Sequence, residues 1–182
     1  MSKLLIITGL PATGKTILSR KIAEHFSIKL LSKDSFKENL FDINGVKDRD
    51  HARFLGQQAY KLLYSECENL LQQNIDLILE SNFTRESEEI LSNLIKKYNL
   101  NCLQILCSCD ENVLYPRFVA RAFSNDRHKG YLDHIHFPNE KEKLKKDKSY
   151  FLDIPAKRHE VDTTDFNKID YDEIYKIVGE FF

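Results

Sequence analysis

The chain has 182 residues, of which 30% are charged and 42% hydrophobic, and its formal net charge is −1. This composition excludes a disordered chain, and the near-zero charge gives no general attraction to nucleic acid or to an anionic bilayer. No apolar run reaches membrane-spanning length, and the four cysteines form no C-x-x-C pair. We therefore expect one α/β domain over residues 1–182, located in the cytosol.

Strand-like and helix-like segments alternate along the chain. Strands are predicted at 3–8, 28–32, 75–80, 102–107 and 158–162. Helices are predicted from the end of the first loop to 26 and at 35–41, 49–73, 86–98 and 110–123, with a C-terminal helix that contains Ile174 and Val178. A charged stretch covers 124–150. This alternation favours a parallel sheet of five strands with helices on both faces.

The first strand runs into a complete G-x-x-x-x-G-K-[ST] motif at residues 9–16, and a helical pattern follows at once. The motif is specific in this strand–loop–helix setting, because its backbone N–H groups and the helix N-terminus bind phosphate. Lys15 is predicted to reach the β- and γ-phosphates and Thr16 to hold Mg²⁺. The predicted nucleotide contacts in the loop are Gly9, Pro11, Ala12, Thr13, Gly14, Lys15 and Thr16.

Acidic residues follow the ends of two other strands. Asp34 comes just after the second strand, and Glu80 ends the third. Since the carboxyl ends of parallel strands share one edge of the sheet, both carboxylates should flank the triphosphate. Either could bind Mg²⁺, and Asp34 could deprotonate an acceptor hydroxyl. Asp34 could instead only cap a helix that starts at Ser35.

Four further stretches resemble a group of small P-loop kinases. These are residues 31–42, 79–83, 117–122 and 126–133, the last reading Asp-Arg-His-Lys-Gly-Tyr-Leu-Asp. The group includes phage polynucleotide kinase, chloramphenicol phosphotransferase, zeta toxins and many uncharacterised predicted kinases. The resemblance extends from about residue 3 to residue 165.

The resemblance implies a three-layer P-loop kinase fold with a central five-stranded parallel sheet and a helical lid at about 117–149. It implies that Asp34 is the base for the acceptor hydroxyl and that Lys37 contacts the acceptor. His128 and Glu80 are further candidates on the substrate side, and Asp162 would lie near adenine. Glu80 departs from some relatives, which carry Asp or a neutral residue there.

Basic and histidine residues of the predicted lid allow more than one interpretation. Arg117 and Arg121 project from one helix face, and Arg127 follows, so all three could neutralise the transferred phosphoryl group. They could equally form a solvated basic face. A zinc site is the other interpretation of the histidines at 128, 134 and 136, although no strand is expected there.

These patterns predict an ATP- and Mg²⁺-dependent kinase that phosphorylates a hydroxyl of a small or nucleotide-like molecule. Two alternatives are an ATP-binding or ATP-hydrolysing module without transfer, and a kinase of nucleic-acid 5′-hydroxyl ends. The near-neutral charge argues against extended nucleic acid as a partner.

Overall fold

The structure is a computed structural model that describes residues 2–146 and 149–182. Its centre is one sheet of five strands: β1 (Lys3–Gly9), β2 (Lys29–Ser32), β3 (Leu77–Glu80), β4 (Asn101–Ser108) and β5 (Lys157–Asp162). The strands are all parallel and lie in the order β2-β3-β1-β4-β5. The predicted five-stranded parallel sheet is therefore confirmed.

Helices cover both faces of this sheet. Within the described residues they are α1 (Lys15–Phe26), α2 (Lys33–Asn44), α3 (Arg49–Gln72), α4 (Glu86–Lys97), α5 (Glu111–Ala122), α6 (Asp133–Lys146) and α7 (Tyr171–Phe181). One hydrophobic cluster packs α3 and α4 on one face, and a second packs α1 and α7 on the other. The fold is thus the expected three-layer arrangement. Among the described residues, no helix is long and apolar enough to span a membrane.

Two local expectations differ from the structure. The second helix begins at Lys33, not Ser35, and its N-cap is Ser32. The interpretation of Asp34 as the cap is therefore wrong, and Asp34 lies in the first turn of α2. The charged stretch also contains a regular helix, α6, of whose described residues only Leu144 is buried. One buried residue gives no apolar periodicity, and an internal proline, Pro138, further disguises the helix.

The strand order places the functional segments at one edge of the sheet. β1 lies between β3 and β4, so the loop after Gly9 is flanked by the ends of both neighbours. Glu80 pairs in register with Ile7 on one side and with Ser32 on the other. The ends of β1, β2 and β3 consequently meet within two strand spacings, where open parallel sheets bind ligands.

Packing of α3 against the sheet gives a direct test of the fold. Leu63 is 0% exposed, whereas its neighbour Leu62 is 45% exposed. We expect Leu63→Ala to lower the free energy of unfolding by roughly 2–5 kcal/mol, because it leaves a cavity in the core. Leu62→Ala is the matched control and should change it by less than about 1 kcal/mol. Urea unfolding followed by circular dichroism measures both, and equal losses would contradict the packing described.

Candidate active site

The phosphate loop has the backbone that its sequence predicts. Gly9 has φ 147° and Gly14 has φ 84°, both in the region that favours glycine. A Cβ at Gly9 would also collide with the carbonyl oxygen of Cys107. Ala12 has φ 67°, a conformation that costs a side-chain-bearing residue energy. The loop ends at Gly14, the N-cap of α1, whose first N–H groups have no acceptor within the helix.

Lys15 is the cation of this loop. Its side chain is buried, and its Nζ donates a hydrogen bond to the Leu10 carbonyl oxygen at 2.9 Å. Burial lowers the pKa of the amine, while the negative charge of Glu80 works in the opposite direction. A buried amine without a carboxylate bound to it is well suited to an anionic phosphate.

Glu80 brings two hydroxyl groups together beside the loop. Its Oε2 accepts a 2.6 Å hydrogen bond from the Ser32 hydroxyl, and its Oε1 accepts one of 3.4 Å from Thr16. The described residues contain no group of three histidine, cysteine, aspartate or glutamate side chains able to hold a metal ion. A carboxylate with two hydroxyls nevertheless suits Mg²⁺, which usually takes one or two protein ligands and completes its shell with phosphate oxygens and water.

Asp34 presents a carboxylate to the same cleft. Its Oδ1 lies 2.8 Å from Lys33 Nζ, its Oδ2 lies 3.8 Å from an Arg127 nitrogen, and its side chain is 36% exposed. Burial alone would raise the pKa of Asp34. The charge and hydrogen bond of Lys33, together with the charge of Arg127, outweigh burial and hold the pKa well below its usual range. Asp34 is therefore an ionised acceptor that a ligand can reach.

Arg127 is held by two residues of the lid segment. Its Nε and a terminal nitrogen donate to the Asp133 carboxylate at 2.8 and 2.7 Å. Its guanidinium also stacks on the Tyr131 ring, 3.2 Å from the centroid. Lys33, Tyr131 and Asp133 were not among the site residues predicted from sequence. All three lie inside the stretches 31–42 and 126–133 that resemble the small kinases, and this resemblance is the feature of the sequence that could have identified them.

The three predicted arginines do not lie together. Arg121 lines the cleft with Arg127, and its buried Nε has no hydrogen-bond partner among the residues that the structure describes. Burial, followed by the charge of Arg127, lowers the pKa of Arg121. Arg117 instead donates to the carbonyl oxygens of Thr163 and Thr164 at 2.7 and 2.8 Å. Arg121 and Arg127 are thus not a solvated face, and Arg117 lies outside the cleft.

The segment after β5 lies against the phosphate loop. The Thr163 hydroxyl donates to the Thr13 carbonyl oxygen at 2.7 Å, and Phe166 fills the space in front of Gly14. Arg117 stacks on Phe166 at 3.8 Å. Asp162 accepts a hydrogen bond from the Thr164 N–H, and hydrogen bonds from Thr164 lower its pKa. An adenine base next to this segment remains a prediction.

Lys37 and His128 lie on the opposite side. Lys37 lines the cleft between the rings of Phe41 and Tyr131, at 5.2 and 4.8 Å. Burial, followed by the charge of Lys33, lowers its pKa to about 8. His128 is not among the cleft residues: its Nε2 is 3.1 Å from Asp42, and its Nδ1 accepts from the Gly130 N–H. With both ring nitrogens engaged in this way, His128 makes no metal site.

The cleft has a volume of about 230 Å³. It brings together most of the residues that the sequence assigned to catalysis and to the acceptor: Lys15, Thr16, Asp34, Lys37, Glu80, Arg121 and Arg127. The predicted residues outside its lining are Arg117, His128 and Asp162, together with four residues of the phosphate loop: Gly9, Ala12, Thr13 and Gly14. A phosphate-binding amine, an ionised carboxylate and two arginines in one small space can bind a polyphosphate and a hydroxyl together.

Comparison with known proteins agrees with this geometry. Residues 4–137 match the AAA domain family. A candidate kinase from Chloroflexus aurantiacus J-10-fl is 35% identical, with a TM-score of 0.92 over 100% of this chain and 98% of that one. No curated protein is similar enough to count as a match. The chain belongs to the AAA domain family and to its small P-loop kinase group.

More distant structures share the fold alone. A sugar kinase from Janibacter sp. HTCC2649 has 12% identity and a TM-score of 0.59 over 100% of this chain and 94% of that one. A gluconokinase from Sinorhizobium meliloti 1021 has 14% identity and a TM-score of 0.50 over 96% and 87%.

The separation of the arginines predicts two different kinetic defects. Arg117→Ala should raise the Kd for ATP, because Arg117 holds the segment that packs on the phosphate loop. If Arg121 acts on the transferred group, Arg121→Ala should change that Kd less and lower the rate of phosphoryl transfer by at least about 100-fold, since Arg121 lines the cleft that contains Lys15 and Asp34. Calorimetric titration of ATP and single-turnover transfer measure the two effects. Equal loss of ATP affinity in both variants would contradict this division.

Proposed function

We propose that the protein is an ATP-dependent kinase that moves the γ-phosphoryl group of ATP to a hydroxyl of a small acceptor. One observation carries the proposal: Asp34, an ionised and accessible carboxylate, lines the same cleft as Lys15 of the phosphate loop and Arg121. A protein that only binds a nucleotide has no use for a carboxylate poised beside the terminal phosphate. A transferase needs one to orient and deprotonate the attacking hydroxyl.

ATP binding is assigned to the loop and to the side chains beneath it. The backbone of residues 9–16 and the N-terminus of α1 would bind the phosphates, with Lys15 on the terminal ones. Thr16 and Glu80 would hold Mg²⁺, directly or through water, and bound Mg²⁺ neutralises charge on the phosphate oxygens. The Ser32 hydroxyl fixes the Glu80 carboxylate on its other side.

Asp34 supports the step at the acceptor. The acceptor oxygen forms a bond to the γ-phosphorus, the bond from that phosphorus to the bridging oxygen of ADP breaks, and ADP leaves with the electron pair. The hydroxyl proton passes to an Asp34 carboxylate oxygen. Because the pKa of Asp34 is held low, the carboxylate accepts this proton late, when the new bond has made the hydroxyl acidic. Such timing suits a loose phosphoryl-transfer transition state.

Arg121 and Arg127 would stabilise the charge that spreads over the transferred group. Arg121 brings a buried Nε–H with no partner among the described residues. Arg127 is already anchored on Asp133 and stacked on Tyr131, so little rotamer freedom remains to be lost on binding. Groups fixed in advance contribute more to transition-state stabilisation than groups that must first be ordered.

The compartment and the unit of folding are inferred in the same way. The four cysteines are free, and burial raises the pKa of Cys67, Cys102 and Cys107 to about 12, which makes them poor nucleophiles. We infer a reducing, cytosolic location for such a set of thiols. We also infer that residues 1–182 act as one kinase domain.

A charge-removing substitution separates a kinase from an ATPase. Asp34→Asn preserves the size of the side chain but cannot accept the hydroxyl proton. We expect transfer to the acceptor to fall by about 10²–10⁴-fold while the Kd for ATP stays within about threefold. Asp172→Asn, an exposed carboxylate in the first turn of α7, is the matched control and should behave as wild type. Undiminished ATP consumption in Asp34→Asn, with no acceptor needed, would favour the ATPase alternative.

Lys37 gives the proposed acceptor side a pH dependence. Its pKa of about 8 lies below the usual value for lysine, so the amine is charged below pH 8 and neutral above it. If the charged amine binds the acceptor, kcat/KM for the acceptor should fall as the pH rises through about 8. Lys37→Arg keeps its charge at these pH values and should remove that inflection. A wild-type profile that is flat from pH 7 to 9 would argue against this role.

A further inference from the structure

A second cavity of about 570 Å³ lies beside the phosphate loop. Its walls include Leu10 of the loop, Phe83 from the turn after β3, and Leu144 of α6. Phe83 and Leu144 are both largely buried, so the cavity is partly roofed by the protein. Its wall is mainly apolar, in contrast to the mainly charged wall of the cleft. Apart from residues 9–11 of the phosphate loop, none of the described residues assigned above to ATP, Mg²⁺ or the acceptor hydroxyl lines this cavity.

The cavity and the cleft share a wall. Pro11, Asn82 and Glu140 line both spaces. Glu140 forms an ion pair with Arg49, which also lines the cleft and belongs to the start of α3. This pair joins α6 to the acceptor side of the site and keeps Glu140 at the boundary. The apolar cavity is therefore a continuation of the reaction cleft and not an unrelated surface depression.

The volume of the second cavity and its apolar wall indicate that it could bind part of a ligand. Ligand sites typically measure about 300–1,000 Å³, and the cleft, at about 230 Å³, is smaller even before it receives the terminal phosphate. The cleft has room for a hydroxyl-bearing end and little more. The adjoining cavity offers a larger volume whose walls favour an apolar group.

We propose that this cavity binds an apolar part of the acceptor, so that the acceptor is an amphipathic alcohol. Its hydroxyl end lies at Asp34, its chain passes Pro11 and Asn82, and its apolar group rests against Leu10, Phe83 and Leu144. This inference rests on the proposed kinase function, and it names the class of acceptor that such a kinase takes.

Two probes and two variants test the assignment. Glycerol and 3-phenylpropane-1,2-diol share the same diol end, and the phenyl group of the second takes the place of the third hydroxyl of glycerol. Thr84→Trp places an indole at the rim of the cavity, where Thr84 is exposed. Glu86→Trp is the matched control, since Glu86 is exposed two residues further on and is not among the cavity residues. Transfer from ATP·Mg²⁺ is measured for each probe, and saturation-transfer NMR detects binding of the phenyl protons.

The expected result is a wild-type kcat/KM at least about tenfold higher for the phenyl diol than for glycerol, since burial of a phenyl group contributes at least that factor. Thr84→Trp should abolish the preference and the NMR signal, and Glu86→Trp should retain both. Equal use of the two probes, or a preference that survives Thr84→Trp, overturns the assignment.

The outcome also separates this inference from the proposed function. Phenyl binding that Thr84→Trp removes, without transfer to either probe, supports the cavity and counts against phosphorylation of such alcohols. Transfer to glycerol without phenyl binding supports the kinase and overturns the cavity. The absence of both transfer and phenyl binding also overturns the cavity assignment.

Discussion

Four residues of alternating charge form a row of ion pairs that joins the walls of the cleft. Lys33 pairs with Asp34, Asp34 faces Arg127, and Arg127 binds Asp133. A carboxylate in such a partly buried position pays a desolvation cost, which neighbouring cations must offset if it is to stay ionised. Lys33 and Asp34 belong to α2, and Asp133 begins α6. The same ion pairs that offset this cost therefore also hold the segment from Arg127 to Asp133 against α2.

Apolar packing at the same junction strengthens this attachment. The Tyr131 ring meets Phe41 of α2 edge-on at 5.2 Å, and a Cβ on Gly130 would lie only 2.5 Å from the Phe41 ring. The absence of a side chain at position 130 is thus what lets the lid segment approach α2 so closely. The ion pair with Asp133 fixes the position of the Arg127 guanidinium, and the close approach of Gly130 to Phe41 holds the segment that carries it.

Sequence reasoning succeeded where local pattern determines structure. The phosphate loop, the five parallel strands and the helices with apolar stripes all follow from motifs and periodicities within about twenty residues. Prediction from sequence failed where contacts between residues far apart in the chain determine the structure. Glu140 and Arg49 meet although 91 positions separate them. The part of α6 whose burial is described has a single buried residue, too few to reveal a helix by its apolar pattern. Arg117 has the right helix face by spacing, yet carbonyl groups after β5 attract it away from the cleft.

The start of α2 illustrates a different limit. Both Ser32 and Asp34 are good capping residues, and a helix that begins at Ser35, as the sequence predicts, allows Asp34 to be its cap. The structure uses Ser32 at the N-cap position while its hydroxyl donates to Glu80. The Asp34 carboxylate is left for Lys33 and Arg127. A shift of two residues in the helix start therefore removes Asp34 from the capping position and places its carboxylate in the lining of the cleft.

The overall charge of −1 conceals a strongly uneven local distribution. In the cleft, four cations each have a carboxylate partner: Lys33, Arg49, Arg53 and Arg127. Lys15, Lys37 and Arg121 also line it, and within the described part of the chain none of these has a carboxylate within 4 Å. An enclosed group of unpaired cations attracts a compact anion and offers no continuous track to a polymer backbone. The positions of these charges thus support the proposed small acceptor, as the net charge of the whole chain also does.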